Sequence, residues 1–321
     1  MKLFAMVLLS LMSYLPSAAM VQAAELTPLL TTTEIHQAVQ NIVHELQHNY
    51  LFADQGKSAA DKLQAKLAAG DFDGQFDFAL FNHEMSSILA QMTSDSGFEL
   101  IQQSTTTLAE FDHNHNALPG KQHDAFEAGI LEHNIGYLKI TGNFHYPNSS
   151  DLLAEQLRLL AGVDALIIDL RQADEATLTL AQQLISYFVQ AETKIANVAF
   201  HQGVETLTAG ATPGFEKFKQ DFPLYIVNSA FVAGSWEFFG YTMQHFDKAV
   251  IVGESTMGLG YFSKVVRISD SLLFRFNHAS ITHPLSNNSW DNHGVVPDYF
   301  FQGDAAFNKA YRLALEHIAT D

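Results

Sequence analysis

The side chains that could do acyl-transfer chemistry fall at two places in the chain. Ser235 lies at the start of a helical stretch, Gly234–Phe246, after a strand-type apolar run, Leu224–Val227, and a turn, Asn228–Ala233. The first main-chain N–H groups of a helix have no internal partner, so a serine there has oxyanion donors beside it. Asp291 and His293 stand two residues apart in Ser289-Trp290-Asp291-Asn292-His293 and offer an acid and a base. A Ser235–His293–Asp291 set would make the chain a serine-type endopeptidase. The competing reading is that Ser235 caps its helix, which serine does well.

A second motif is His44-Glu45-Leu46-Gln47-His48, a literal H-E-x-x-H of the kind zinc hydrolases carry on a helix. The apolar stripe of that helix centres on Leu46, and at 100° per residue the histidines lie about 160° and 200° from it. They face water, whereas a zinc site faces a cleft, and no third ligand follows at a familiar spacing. His113, His115 and His123 form a loop cluster that is read as solvent-exposed. The chain has no cysteine, which excludes disulfides, thiolate metal sites and a thiol nucleophile. No cofactor and no metal are expected.

These groups are positioned by 321 residues with a formal net charge of −18. A surface so acidic repels nucleic acid and anionic lipid. Lys2, the apolar run Leu3–Leu15 and the small-residue site Val21-Gln22-Ala23 read as an export signal over residues 1–24. No later apolar run is long enough to span a bilayer. A soluble protein, periplasmic or secreted and without an integral membrane segment, is expected. Residues 25–95 hold three helical stripes, Glu34–Tyr50, Ser58–Ala69 and Phe76–Met92, and read as a small helical N-terminal domain. Residues 96–321 alternate strands and helices, an α/β pattern. Strands are expected at Phe98–Gln103, Asn134–Thr141, Asp164–Leu170, Ile195–His201, Ala249–Val252, Phe262–Ser269 and Leu272–Asn277. Helices are expected at Asp151–Leu160, Thr177–Val189 and Asp304–Ile318, and a loop over residues 112–124.

Several of these segments resemble the carboxy-terminal-processing (tail-specific) serine peptidases, in the branch without a PDZ domain. That branch includes tricorn-type peptidases and the repeats of interphotoreceptor retinoid-binding protein. The family writes its nucleophile segment T-S-x-x-T-F-S-A-A-E-E-F-A-Y, followed by A-x-I-V-G-E. Ser229, Glu237, Phe239, Tyr241, Gln244, Ala249, Val252, Gly253 and Glu254 stand in register with it. Asn134–Thr141, Asp164–Leu170 and Asn49-Tyr50-Leu51-Phe52 match other family segments. The resemblance implies a crotonase-like α/β core preceded by a small helical bundle.

The same alignment removes the catalytic groups. The family's serine falls on Gly234 and its histidine, after Thr93-Ser94-Asp95-Ser96, on Gly97. The lysine that serves as base in the PDZ-containing branch falls on Leu259. After Asp169-Leu170-Arg171, the glycine-rich oxyanion loop is replaced by Ala173-Asp174-Glu175-Ala176, and the family's glutamate is replaced by Asp291. The resemblance therefore implies a degenerate peptidase that binds a peptide, a protein or a small apolar ligand in a cleft near Gly234, Trp236, Glu237 and Trp290. The alternative is an active serine-type endopeptidase with Ser235, His293 and Asp291 relocated.

Overall fold

In the core, β-branched and leucine runs alternate with amphipathic helices, and the central strands, Leu224–Asn228 and the first half of Ala165–Ala176, bury both faces. A computed structural model describes residues 29–93, 95, 97–103, 125–144 and 148–320. The segment 1–24 and the histidine loop with His113, His115 and His123 lie outside the described residues.

Three helices come first: α1 (Thr32–His48), α2 (Ala53–Ala69) and α3 (Phe78–Met92). Thr31 caps α1 by accepting from the Glu34 N–H, and Gly70 ends α2 in a left-handed conformation with φ 80°. Ile35, Val39, Ile42 and Leu46 form the buried stripe of α1, while His44 and His48 are exposed and stacked on each other at 4.4 Å. Among the described residues no group of three or more potential ligands could hold a metal ion. The helices do not close a core alone. Their apolar faces meet Leu100, Leu272, Phe274 and Phe276 of an antiparallel sheet, and Ile268 in one of its turns.

That sheet has five strands in the order β1 (Glu99–Gln102), β10 (Leu272–Thr282), β5 (Lys194–Phe200), β6 (Gly203–Thr208), with β9 (Tyr261–Arg267) paired to β10. A second sheet of six strands runs β11 (Tyr299–Phe300), β8 (Val250–Gly253), β7 (Leu224–Asn228), β4 (Ala165–Ala176), β3 (Ile135–Phe144), β2 (Ala125–Leu131). Its pairings are parallel except that of β2 with β3.

Strand β4 shows how period-2 alternation sets up two layers. Leu166, Ile168 and Leu170 join the core with α4 (Ser149–Leu159), α5 (Leu178–Ser186) and α6 (Ser235–His245). Ala165 and Ile167 face Ala306, Ala310 and Ala314 of α7 (Asp304–Ile318). Asp169 and Arg171 continue the second face. The guanidinium donates to the buried Asp169 carboxylate at 2.7 Å and to the Gly303 carbonyl at 2.7 Å, tying β4 to the start of α7. Truncating a buried residue such as Ile168 to alanine would cost about 3 kcal/mol.

Among the described residues no helix is long and apolar enough to cross a membrane.

Candidate functional site

The site is built on the crossover β7–α6–β8. Strand β7 is buried along its whole length, so its end fixes where the next turn starts. The Ser229 hydroxyl donates to the Arg171 carbonyl at 3.1 Å and anchors that turn to β4. The turn closes at Gly234, whose φ of 56° and ψ of −114° suit glycine and strain any other residue. A strand-to-helix turn of this shape is the one on which hydrolases expose a nucleophile. A Cβ placed on Gly234 would find no atom within 4 Å.

Glu237, fully buried, holds this turn in place. Its carboxylate accepts from the Gly234 N–H at 2.9 Å, half of a capping box. It also accepts from the Gly258 N–H at 2.6 Å, the Leu259 N–H at 2.9 Å and the Thr256 hydroxyl. One carboxylate thus joins the elbow to the segment carrying Leu259.

The structure does not assemble Ser235, His293 and Asp291. Ser235 is 3% exposed, and its hydroxyl donates to the Ala176 carbonyl at 2.7 Å. It points into β4 and holds the start of α6 against the sheet; Gly234 is the N-cap, and Ser235 caps no helix N–H, so its role is neither the catalytic one nor the expected cap. His293 is exposed and its Nδ1 bonds the main-chain carbonyl of Asp291 at 2.8 Å, within one turn. The Asp291 carboxylate accepts from the Asn292 amide at 2.7 Å and the Gly260 N–H at 3.3 Å. It therefore does not orient the imidazole.

The cleft expected at Gly234, Trp236, Glu237 and Trp290 also needs correction. Trp236 is fully buried, edge-on to Phe144 at 5.9 Å. Trp290 is 1% exposed, packs on Tyr241 at 5.5 Å and donates its indole N–H to the Leu259 carbonyl at 3.0 Å. With Glu237 they brace the wall from behind, and only Gly234 of the four is partly exposed.

The expected oxyanion loop is a strand. β4 runs on through Ala173-Asp174-Glu175-Ala176, past the expected end at Leu170. It stays paired with β3, Gly142 opposite Ala173 and Phe144 opposite Ala176, with a bulge between those pairs that shifts the register by one residue. Asp174 and Glu175 lie at that bulge and are both exposed. A paired strand does not present the convergent free N–H groups that an oxyanion hole requires.

At the base position Gly97 is half-buried, and a Cβ there would meet the Asn277 amide nitrogen at 2.4 Å. Asn277, on β10, donates to Asp95 at 3.0 Å, and the Gly97 N–H and Tyr50 hydroxyl donate to the same carboxylate at 2.7 and 2.9 Å. Burial first, then Asp95, pushes the Tyr50 phenol well above its usual range. Sequence reasoning missed Asn277, which lies 180 residues from Gly97 and carries no local signal.

A cavity of about 820 Å³ opens between α1–α2, the antiparallel sheet and the 258–259 and 291–292 segments. Gly97, Leu259 and Asp291 line it together. These are the histidine, lysine and glutamate positions that the resemblance implies, whereas Gly234, Trp236, Glu237 and Trp290 are not among the residues that line the cavity.

Known proteins share this architecture. A lipoprotein from Streptococcus agalactiae superposes with a TM-score of 0.60 at 11% identity, over 91% of this chain and all of that one. The photosystem II D1 C-terminal processing protease superposes at 0.57 and 12% identity, over 84% and 93% of the two chains. The tricorn protease does so at 0.52 and 11% identity, over 90% of this chain and 37% of its own. At such identities the likeness is one of fold. The sequence itself matches the model of peptidase family S41 over residues 134–300, more than half of the chain and the stretch that carries β3, the elbow and Asp291. The chain belongs to peptidase family S41.

Proposed function

We propose that the chain is an exported, catalytically degenerate member of the family that holds a peptide in the former substrate cleft. The observation that carries this reading is the turn at Gly234, where the backbone of a nucleophile elbow stands without a nucleophile. Two further features support it. Asn277 occupies the space a side chain at position 97 would need, and the oxyanion segment is paired into β4–β3. Export rests on the signal-like segment 1–24. A peptide is favoured over a small apolar ligand because the cavity mixes Phe52, Phe98 and Leu259 with carboxylates and amides.

The test is a pair of measurements on the purified mature protein. Incubation with unfolded protein substrates should yield no cleavage products. Native mass spectrometry of protein from its own host, with calorimetric titration of peptides and fatty acids, should find a bound or titratable peptide. Turnover that disappears in Ser235→Ala would overturn the degenerate reading. If nothing co-purifies and no titration saturates at millimolar ligand, the binding role fails.

A further inference from the structure

The cavity beside Gly97 carries an imbalance of charge that selects among peptides. It is lined by three carboxylates, Asp95, Glu99 and Asp291, and by one cation, Arg275. Arg275 Nε lies 3.0 Å from Glu99 Oε2, off the hydrogen-bond axis, so that pair is balanced within itself. The other two carboxylates are satisfied by neutral donors. Asp95 takes the Asn277 amide, the Tyr50 hydroxyl and the Gly97 N–H, and Asp291 takes the Asn292 amide and the Gly260 N–H. Hydrogen bonds of this kind orient a carboxylate but leave its net charge in place. No described cation pairs with either one.

The two charges line one cavity. Tyr261, which lines the same cavity, has its phenol pushed up by burial first and then by both Asp291 and Asp95. Its ring meets Phe52 edge-on at 5.6 Å, and both line the cavity with Phe98 and Leu259. An apolar wall ending at two unpaired carboxylates suits a long aliphatic stem tipped by a cation, with ring faces adding attraction to the charge.

We propose that this cavity receives the side chain of a lysine or arginine residue of the bound peptide. The inference rests on the peptide-binding reading above and narrows it to a chemical class. The stem lies against Phe52, Phe98 and Leu259, and the charged head lies between Asp95 and Asp291. Glu99 keeps Arg275 from repelling it.

The test uses end-blocked pentapeptides, acetyl-Ala-Ala-X-Ala-Ala-amide, with X as lysine, arginine or norleucine, titrated by calorimetry at low ionic strength. Norleucine keeps the stem and removes only the charge. The lysine and arginine peptides should bind at least about tenfold tighter than the norleucine peptide, with the margin shrinking as salt is raised. Asp291→Asn should erase most of that margin. Glu99→Gln, which leaves the Arg275 charge uncompensated, should narrow it. Equal binding of all three peptides would overturn the cationic inference and leave peptide binding standing. A margin unaffected by both variants would place the cation elsewhere and overturn it too. Absence of binding by any peptide up to millimolar would overturn both readings.

Discussion

Gly234 and Gly97 stand where the resemblance puts the family's nucleophile and its base, yet their surroundings differ in kind. Around Gly234 the frame is intact: the left-handed turn, the Glu237 brace and the anchor to β4 are all present, and the Cβ position is empty. Around Gly97 the frame has been rebuilt, with the Asn277 amide in the space and Asp95, Tyr50 and Ser263 tied into its network. The first site has lost a side chain. The second has acquired a different structure. Restoring chemistry is therefore a local matter at one position and a repacking problem at the other.

Substitution separates the two directly. Gly97→His should cost about 2 kcal/mol in urea denaturation, because a well-packed site resists added volume. In an Asn277→Ala background the same change should cost less than about 1 kcal/mol, the coupling expected of side chains competing for one space. Equal costs in the two backgrounds would break the comparison. Gly234→Ser should cost only about 1 kcal/mol, from backbone strain at positive φ rather than from packing. A larger loss at 234 than at 97 would reverse the account.

The smallest effect leaves both glycines in place. His278 follows Asn277 on β10, and burial, with a lesser contribution from Lys264, holds its imidazole below the ordinary value of 6.5. Burial does the same to His283, which is 3% exposed beside His245. A folded-state value below the unfolded one means that the native protein binds fewer protons. Stability is then complete above about pH 6.5 and declines as the pH falls through the folded values. Thermal melts from pH 7 to pH 5 should show a falling midpoint, with a shallower slope in His278→Gln. A midpoint rising toward pH 5 would contradict the assignment.

Local pattern carried much of the fold. The stripe Asp304–Ile318 emerges as a helix with those same ends, because its apolar spacing and its packing face agree. Strand β4 extends six residues past its legible end, since Ala173-Asp174-Glu175-Ala176 reads as loop until β3 is there to pair with it. Strands β2 and β6 were not legible, the one following a polar stretch and the other an edge strand exposed over Gly203–Glu205. At the site the resemblance puts glycine at both the serine and the histidine position. What fills those places was not. Trp236 and Trp290 looked like cleft residues because they flank the active positions, whereas aromatic packing turns both inward. Asn277 reaches Gly97 only through the pairing of β10 with β1, a contact between distant parts of the chain.

The central claim is that no nucleophilic serine remains. Incubation of the folded protein with an excess of a fluorophosphonate, followed by intact mass measurement, tests it most directly. Ser235 is buried and its hydroxyl donates to the Ala176 carbonyl, so the predicted spectrum is that of unmodified protein. One stoichiometric adduct, abolished by Ser235→Ala or by heat unfolding, would contradict the account.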